Sequence, residues 1–580
     1  MLLWLSLLAC TDPIAEVGLL GTGPMEVFPT AHHLDADGHV ALEPEWLPTV
    51  DTPWDTERLG FREGFSVAQT AILRDEHLKA EAILGPANIG TDGPVWMVDL
   101  DDGRLIPCFA EVDVLDDQVL LVRPMETLVD GHQVAVVLST QAIPRLDAFT
   151  QILEGQRFQG WAEHYQALLS RSSSLTGLSE DEIGLVFDFP VDAGTEPMDH
   201  AVASTHPAGD WTWLDEDTTN LPEGTYKQLT GTFTVDNWLV DDLRMELDGE
   251  GTPQAQGTAQ AHLFVHIPES VRGAEPGTVP VLIFGHGLLQ SPEGFLADKD
   301  DSSNFVELFD RMGVIVIASE WRGLCRDDLA DVVWVANDMG RLPEVTDRLT
   351  QAVANNLALM ELIQDGALLD DPAFEGLADG ETLLYYGVSL GGIMGAVTLA
   401  QTERVDHGVL HVGGGAWSLT FPRSANWEDF EGLVEEGVPA SRDRQLLYAA
   451  MQLYWDPVDS MSYAGALSDR SLLLQMSVED DEVTNLGTTM LAHSAGWSAL
   501  NVPVWDLPIV EAPTSAPVLA PFDAELGDPE QGNQPALRTG AHREPRMWEA
   551  AKLQSISFLV EEPGVVEHYC VDAVCTPLDR

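Results

Sequence analysis

Basic residues are scarce in this 580-residue chain, and lysine is almost missing from it. Lys and Arg number 28 against 95 Asp and Glu, which gives a formal net charge of −67. A surface of this sign repels nucleic acid and anionic lipid headgroups, so we expect no nucleic-acid partner. It indicates a solvated acidic surface suited to a salty or extracellular setting, with binding of divalent cations as the alternative. The only lysines are Lys79, Lys227, Lys299 and Lys552.

Cysteine is also rare, and histidines are not clustered. The five cysteines form no C-x-x-C pair, so the sequence indicates no zinc site, and we expect neither a metal nor a cofactor. Four residues separate Cys570 from Cys575. This spacing predicts a local disulfide in an exported protein and two idle thiols in a cytosolic one. Cys108 lies in an apolar stretch and is expected in the core.

The N-terminal hydrophobic run, MLLWLSLLAC, is too short to span a bilayer. It ends in Leu7-Leu8-Ala9-Cys10, which resembles a bacterial lipoprotein signal, although no Lys or Arg precedes it. We therefore expect residues 1–10 to be a signal and Cys10 to be acylated; a buried N-terminal strand or helix is the alternative. The protein would then be exported, and either lipid-anchored to a membrane of the cell envelope, such as the outer membrane, or extracellular.

The composition predicts a globular protein of more than one domain. Apolar residues make up 45% and charged residues 21% of a chain long enough for a large core. Proline and glycine mark residues 11–50 as a linker, and short strands between turn signals indicate a β-rich, sandwich-like domain over 51–145. Apolar residues three to four positions apart predict a helical connector over 146–225. Within 226–580, strands and helices alternate from Val279 onward, which is typical of a parallel sheet.

The segment from Thr382 to Ala400, TLLYYGVSLGGIMGAVTLA, carries the strongest chemical signal. Its start is typical of a buried strand, and the small residues after Gly391 are typical of a closely packed helix. Ser389 lies at the turn between them, flanked by glycines because a Cβ would collide with the neighbouring strand and helix. The helix N-terminus aims free N–H groups at negative charge near the serine oxygen. The pattern G-x-S-x-G therefore predicts a nucleophile.

A serine hydroxyl needs an imidazole to take its proton and a carboxylate to orient that imidazole. In a doubly wound sheet these groups lie in loops at the carboxyl ends of strands, in the chain order serine, acid, histidine. Asp480, after a predicted strand, and His542, before the last predicted helix, fit that order. Asp481 is the alternative acid. His493 is the alternative base, but it lies in the middle of a predicted helix rather than in a loop.

With these motifs, the stretch from Val279 to Leu559 resembles the α/β-hydrolase superfamily. The resemblance implies a doubly wound, mainly parallel sheet in a catalytic domain over 226–580, with the β-rich domain before it. It also implies the roles of the three site residues, with a carboxylate that orients the imidazole. The nucleophile is then Ser389, the general base and acid is His542, and the orienting carboxylate is Asp480.

The resemblance further implies an oxyanion hole made by the amides of Leu288 and Leu390. His286, in the Gly-His-Gly-Leu loop, is expected to pack beneath that loop rather than to act as a base. The interval from Asp480 to His542 is longer than usual in the superfamily, which implies an insertion. The layout resembles that of large exported bacterial hydrolases with an added β domain.

Residues 417–466 contain more aromatic side chains than a plain connector needs. We expect this segment to be a helical cap over the serine that lines an acyl pocket; ordinary packing of a helical subdomain is the alternative. The resemblance implies an exported esterase or lipase-like serine hydrolase that acts on a small-molecule or lipid ester. A serine peptidase and a catalytically inactive surface-binding protein with a hydrolase fold are the alternatives. The aromatic residues are Trp417, Phe421, Trp427, Phe430, Tyr448, Tyr454 and Trp455.

Overall fold

The structure is a computed structural model that describes residues 16–206, 209–298, 303–365 and 367–579. The expected signal peptide and its Cys10 lie outside these residues. Within them, no helix combines the length and the apolar character that crossing a membrane would require.

The N-terminal part contains two antiparallel sheets of four strands each, in the orders β1-β2-β6-β5 and β4-β3-β7-β8. The turn at Asp101-Asp102-Gly103 joins β3 to β4 as a hairpin, and Gly103 takes the positive φ of +68° that favours glycine there. The expected β-rich region is thus confirmed. Its strands are β1 (Val27–Phe28), β2 (Ala71–Arg74), β3 (Val95–Asp99), β4 (Arg104–Ile106), β5 (Cys108–Val112), β6 (Val119–Pro124), β7 (Gln133–Ser139) and β8 (Ile183–Pro190).

Two expected connecting segments belong instead to these sheets. The described part of the 11–50 linker contains β1, which pairs with β2 and buries Phe28 completely. The 146–225 connector contains the expected helices but also β8, which pairs with β7. Both expectations were wrong for the same reason: short apolar runs beside turn residues acquire strand partners distant in sequence, which helical periodicity does not reveal.

The second part is built on one sheet of eleven strands, in the order β20-β19-β22-β18-β17-β16-β14-β15-β13-β10-β9. The pairs from β20 to β15 are parallel, whereas β13, β10 and β9 extend the sheet antiparallel. The strands are β9 (Trp211–Asp217), β10 (Thr225–Asp236), β13 (Thr258–Pro268), β14 (Val279–Gly285), β15 (Ile315–Ala318), β16 (Ala378–Val388), β17 (His407–His411), β18 (Leu472–Val478), β19 (Ser498–Leu500), β20 (Ile509–Val510) and β22 (Val518–Asp523). Two small pairs accompany them: β11 (Leu239–Val240) with β12 (Arg244–Met245), and β21 (Thr514–Ser515) with β23 (Val565–Val566).

Helices cover both faces of this sheet, which explains why successive residues of a central strand such as β18 are buried whichever face they point to. Successive residues of β16, such as Tyr385 and Tyr386, belong to separate apolar cores on opposite faces of the sheet. The core that contains Tyr385 continues into the N-terminal sheets. The described α-helices are α1 (Thr56–Leu59), α2 (Asp147–Leu153), α3 (Ala162–Thr176), α4 (Glu196–Ser204), α5 (Pro292–Leu296), α6 (Ser303–Met312), α7 (Leu329–Asn337), α8 (Pro343–Gln364), α9 (Leu390–Ala400), α10 (Trp417–Arg423), α11 (Glu428–Gly437), α12 (Ser441–Trp455), α13 (Asn485–Ser494) and α14 (Glu549–Ile556).

A disulfide joins Cys570 to Cys575, which confirms the pairing expected from their spacing. It lies near the carboxyl end of β22, because Cys575 forms an isolated bridge with Phe522. Cys108 is buried and free, as expected of a core residue.

Candidate active site

Ser389 lies on a tight turn between β16 and α9. Its backbone has φ +56° and ψ −117°, a conformation that L-residues adopt only when the surrounding structure holds it. A Cβ on Gly387 would lie 2.0 Å from the Gly391 carbonyl oxygen, and one on Gly391 would lie 2.1 Å from the Gly285 carbonyl oxygen. The two glycines predicted to flank the serine are therefore required by the close approach of the backbone segments.

The structure brings His542 and Asp480 together. The Nδ1 atom of His542 lies 2.8 Å from a carboxylate oxygen of Asp480, and both side chains are buried. The other Asp480 oxygen accepts hydrogen bonds from the amides of Glu482 and Val483, each at 2.8 Å, which orient the carboxylate.

Asp481, the alternative acid, contacts the backbone of the histidine loop rather than the imidazole. Its carboxylate accepts hydrogen bonds from the amides of Thr539 and Gly540, at 2.8 Å each, and of His542, at 3.0 Å. The adjacent aspartates therefore have different tasks: Asp480 holds the ring, and Asp481 holds the loop that carries it.

On its other side, the His542 ring faces Glu482. The Nε2 atom lies 3.6 Å from a carboxylate oxygen of Glu482, and among the described residues no hydrogen bond joins Ser389 Oγ to the imidazole. The sequence does not single out Glu482 as a site residue. Its position next to two acidic candidates was a signal, but a run of acidic residues does not show which of its side chains turn inward.

The electrostatics of the site favour a charged imidazole. Burial lowers the pKa of His542, but the carboxylates of Asp480 and Glu482 outweigh it and raise that pKa to about 9. Burial raises the pKa of Asp480 above its ordinary value, although His542 and the amides of Val483 and Glu482 act in the opposite direction. Because Asp480 accepts amide hydrogen bonds and faces the ring, we assign the pair as carboxylate and imidazolium.

The two residues whose amides are expected to form an oxyanion hole border the same cavity as the serine. Leu288 and Leu390 line the same cavity as Ser389, and neither amide donates a hydrogen bond within the described part of the chain. His286 is buried beneath this loop: its Nε2 accepts a hydrogen bond from the amide of Trp321 at 2.9 Å, and its Nδ1 lies 2.9 Å from the Gly287 carbonyl oxygen. Burial lowers the pKa of His286 to about 4, so this neutral ring braces the loop, as expected.

A cavity opens at Ser389. The predicted cap segment provides four aromatic side chains to its wall, and the body of the protein provides leucines and isoleucine. Among the described residues that line the cavity, Glu482 is the one with a charged side chain. The main apolar lining residues are Leu288, Leu289, Leu324, Ile393, Trp417, Phe421, Trp427 and Phe430.

Two other histidines, His493 and His262, have different partners. His493, the alternative base, lies 3.4 Å from Glu126 and does not contact either candidate acid. His262, Glu293 and Glu320 could each offer one ligand atom to a cation. However, the His262 ring is already paired with Glu293 at 2.8 Å.

No family model and no curated protein matches the chain. Solved structures do match. Acetyl xylan esterase 1 from Thermoanaerobacterium sp. JW/SL YS485 has 14% identity, with 57% of this chain and 86% of that chain covered and a TM-score of 0.35. The acylaminoacyl peptidase of Pyrococcus horikoshii has 15% identity, with 59% of this chain and 48% of that chain covered and a TM-score of 0.30. An esterase of Pyrococcus furiosus has 14% identity, with 57% of this chain and 91% of that chain covered and a TM-score of 0.31.

The order of the strands and the turn at Ser389 define the fold. A mainly parallel sheet carries helices on both faces, and a serine lies on the strained turn from a central strand into a helix. An acid and a histidine follow it in the chain and meet above the same sheet. With a β-rich region before this sheet, the chain has the α/β-hydrolase fold.

Proposed function

We propose that this protein is a serine hydrolase that cleaves carboxylic esters, with Ser389 as nucleophile, His542 as base and Asp480 as orienting acid. The observation that carries the proposal is the buried contact between Asp480 and the Nδ1 of His542. It leaves Nε2 as the ring atom available to the serine. The carboxylate of Glu482 lies 3.6 Å from Nε2 and lines the cavity onto which Ser389 opens, so the ring lies next to a residue of that cavity wall.

The reaction follows from these positions. Ser389 Oγ attacks the ester carbonyl carbon, and its proton moves to Nε2 of His542. The carbonyl oxygen becomes negative and is bound by the free amides of Leu288 and Leu390. The imidazolium then gives the proton to the departing alcohol, which leaves an acyl group on the serine. A water molecule, deprotonated by the same imidazole, releases the acid and restores the serine.

The cavity supports an ester with an apolar acyl group. Its wall is formed mainly by leucine, isoleucine and aromatic side chains, so burial of apolar substrate surface would supply most of the binding free energy. We propose that the cap segment, through Trp417, Phe421, Trp427 and Phe430, binds this acyl group. No cationic side chain among the described lining residues is placed to bind a peptide carboxylate.

Two measurements test the chemistry. A fluorophosphonate should label the wild-type protein covalently and leave Ser389→Ala unlabelled. Ser424→Ala is the matched control, because Ser424 lines the same cavity but its hydroxyl caps a short helical turn, and it should be labelled like the wild type. Unlabelled wild-type protein would contradict the proposal and favour a catalytically inactive binding protein.

The leaving group separates ester from amide chemistry. The protein should hydrolyse p-nitrophenyl esters far faster than the p-nitroanilides of the same acyl groups. Faster turnover of the anilides would instead indicate a peptidase.

We also propose that the protein is exported and anchored by lipid at Cys10. The motif Leu7-Leu8-Ala9-Cys10 supports this, as does the disulfide, because disulfides persist in oxidising compartments. Cys10→Ala should be absent from the membrane fraction. Mass spectrometry that finds the wild-type N-terminus intact and unacylated would contradict the anchor.

A further inference from the structure

Two carboxylates flank the single imidazole of the candidate active site. Asp480 contacts Nδ1 at 2.8 Å, and Glu482 lies 3.6 Å from Nε2. The second distance is too long for a hydrogen bond but close enough for a strong interaction between charges in a buried site. Since the proposed reaction needs Nε2 to receive the proton of Ser389, Glu482 lies next to the atom on which that reaction depends.

Two different segments hold Glu482 in this position. Asn426, in the cap segment, donates a hydrogen bond of 2.9 Å to the Glu482 oxygen that faces the imidazole. Arg543, next to the histidine in sequence, lies 3.4 Å from the other oxygen. The Glu482 side chain is only 14% exposed. The carboxylate is therefore oriented by the cap and by the histidine loop, and is not a freely moving surface group.

We propose that Glu482 is a positioning residue, which holds the Nε2 side of His542 in the resting protein and stabilises the ring in its protonated form. The inference rests on the proposed function and deepens it. When substrate binds, Nε2 has to turn from Glu482 to the serine hydroxyl. When the proton arrives, the same carboxylate stabilises the imidazolium.

Glu482 thus has two opposite effects on the rate. At neutral pH it helps Asp480 to keep the base protonated, because the two carboxylates outweigh burial and raise the pKa of His542 to about 9. The active neutral ring therefore forms only as pH rises toward that value. Above that pH, the carboxylate favours the imidazolium that forms during the reaction and increases the maximal rate. The charged groups that act on His542 are Asp480, Asp481 and Glu482, and its ring also interacts with the buried His411, whose pKa burial lowers to about 4. The charged groups that act on Glu482 are His542, Arg543 and Asp481.

The test is the pH dependence of kcat/KM in Glu482→Gln. The acid limb of the kcat/KM profile should move to lower pH by at least about one pH unit, because the uncharged amide of glutamine stabilises the imidazolium less. The plateau at high pH should fall several-fold, so the variant and wild-type profiles should cross. A merely structural role would lower the rate at every pH without moving the limb.

Glu479→Gln is the matched control, because it removes one negative charge from the same loop. The charges that act on Glu479 are Asp523 and Asp528, not the imidazole. Its pH profile should follow the wild type. An equal shift in both variants would show that net charge, not the contact of Glu482 with the ring, sets the profile, and would overturn the proposal.

The titration of the His542 ring, followed by NMR of protein with ¹⁵N-labelled histidine, needs no turnover. The signal is assigned by its loss in His542→Gln. Its midpoint should fall by at least about one pH unit in Glu482→Gln and stay in place in Glu479→Gln. An unchanged midpoint would overturn the proposal. If the wild type hydrolyses no ester while the midpoint moves, the proposed function fails and the coupling of Glu482 to His542 stands.

Discussion

Buried charges are arranged in opposite ways in the two halves of this molecule. In the N-terminal sheets, the carboxylate of Glu111 lies between two arginines: it contacts Arg123 at 2.8 Å and also pairs with Arg423 of α10, which lies 3.3 Å from Glu530 as well. In the candidate active site, His542 is a single base between two carboxylates, Asp480 and Glu482.

The pKa values follow the neighbours in each case. Burial raises the pKa of Glu111, but the two arginines outweigh it and lower the pKa below its ordinary value, so Glu111 stays ionised. Burial lowers the pKa of His542, but two carboxylates outweigh it and raise the pKa to about 9. Burial alone thus does not decide whether a group is charged; the surplus of opposite charge around it does.

The surroundings of the two clusters also differ. Glu111 joins an N-terminal strand to the cap segment, and its partner Arg423 is almost completely buried. His542 lies against Glu482, which lines a cavity that a substrate could enter. We infer that the first cluster holds the halves together and that the second carries chemistry.

The largest effect is expected on activity. Ser389→Ala and His542→Ala should each lower ester hydrolysis by about 10⁴- to 10⁶-fold, because the attacking oxygen or its base is lost. Asp480→Asn should be milder, because an unoriented imidazole still acts part of the time. The thermal midpoint should hardly change in Ser389→Ala. Combined variants should lose little more than single ones, since all three groups serve one proton transfer; additive losses would contradict a shared mechanism.

Next comes stability. Glu111→Ala leaves Arg123 buried without its carboxylate partner and leaves Arg423 with Glu530 alone, so we expect a loss of about 3–5 kcal/mol in the free energy of unfolding. Thermal and urea unfolding would measure it. Glu81→Ala, at an exposed position of the same half, should have almost no effect. Equal stability of the two variants would show that the Glu111 cluster does not hold the halves together.

A smaller effect is expected on substrate preference. Phe430→Ala removes a ring from the cavity wall and enlarges the cavity. The ratio of kcat/KM for long-chain esters to kcat/KM for short-chain esters should therefore rise several-fold. Phe61→Ala, which changes an exposed phenylalanine outside the cavity, is the control. An unchanged preference across an acyl series in Phe430→Ala would indicate that residues 417–466 are an ordinary subdomain.

The smallest effect is expected from the disulfide. Cys570→Ser with Cys575→Ser opens a short loop, so the free energy of unfolding should fall by only about 2 kcal/mol. Ester hydrolysis should be unaffected, because neither cysteine lines the cavity. A large loss of activity would show that this segment supports the active site.

Local patterns in the sequence were sufficient for several features. The serine turn was predictable because Gly387 and Gly391 have one steric role: a Cβ on either would lie 2.0 or 2.1 Å from a backbone oxygen. The order of Ser389, Asp480 and His542 was predictable because the topology of such a sheet restricts it. The disulfide was predictable because its cysteines are close in the chain.

Contacts between distant segments were not predictable in this way. Glu111 and Arg423 are 312 residues apart, and β1 and β8 find their partners across long intervals of chain. Neither contact leaves a periodic or compositional trace near the residues that make it.

By itself, the sequence determined the serine turn and the alternation of strands and helices, because both depend on residues that are neighbours in the chain. It also determined the acidic surface, because that depends on composition alone. Only the tertiary structure decided which acid faces the imidazole, since Asp480, Asp481 and Glu482 are chemically alike and differ in the direction of their side chains. It also decided that a second carboxylate lies at Nε2. That direction depends on how the loops of the acid and the histidine pack against the cap, which no local pattern records.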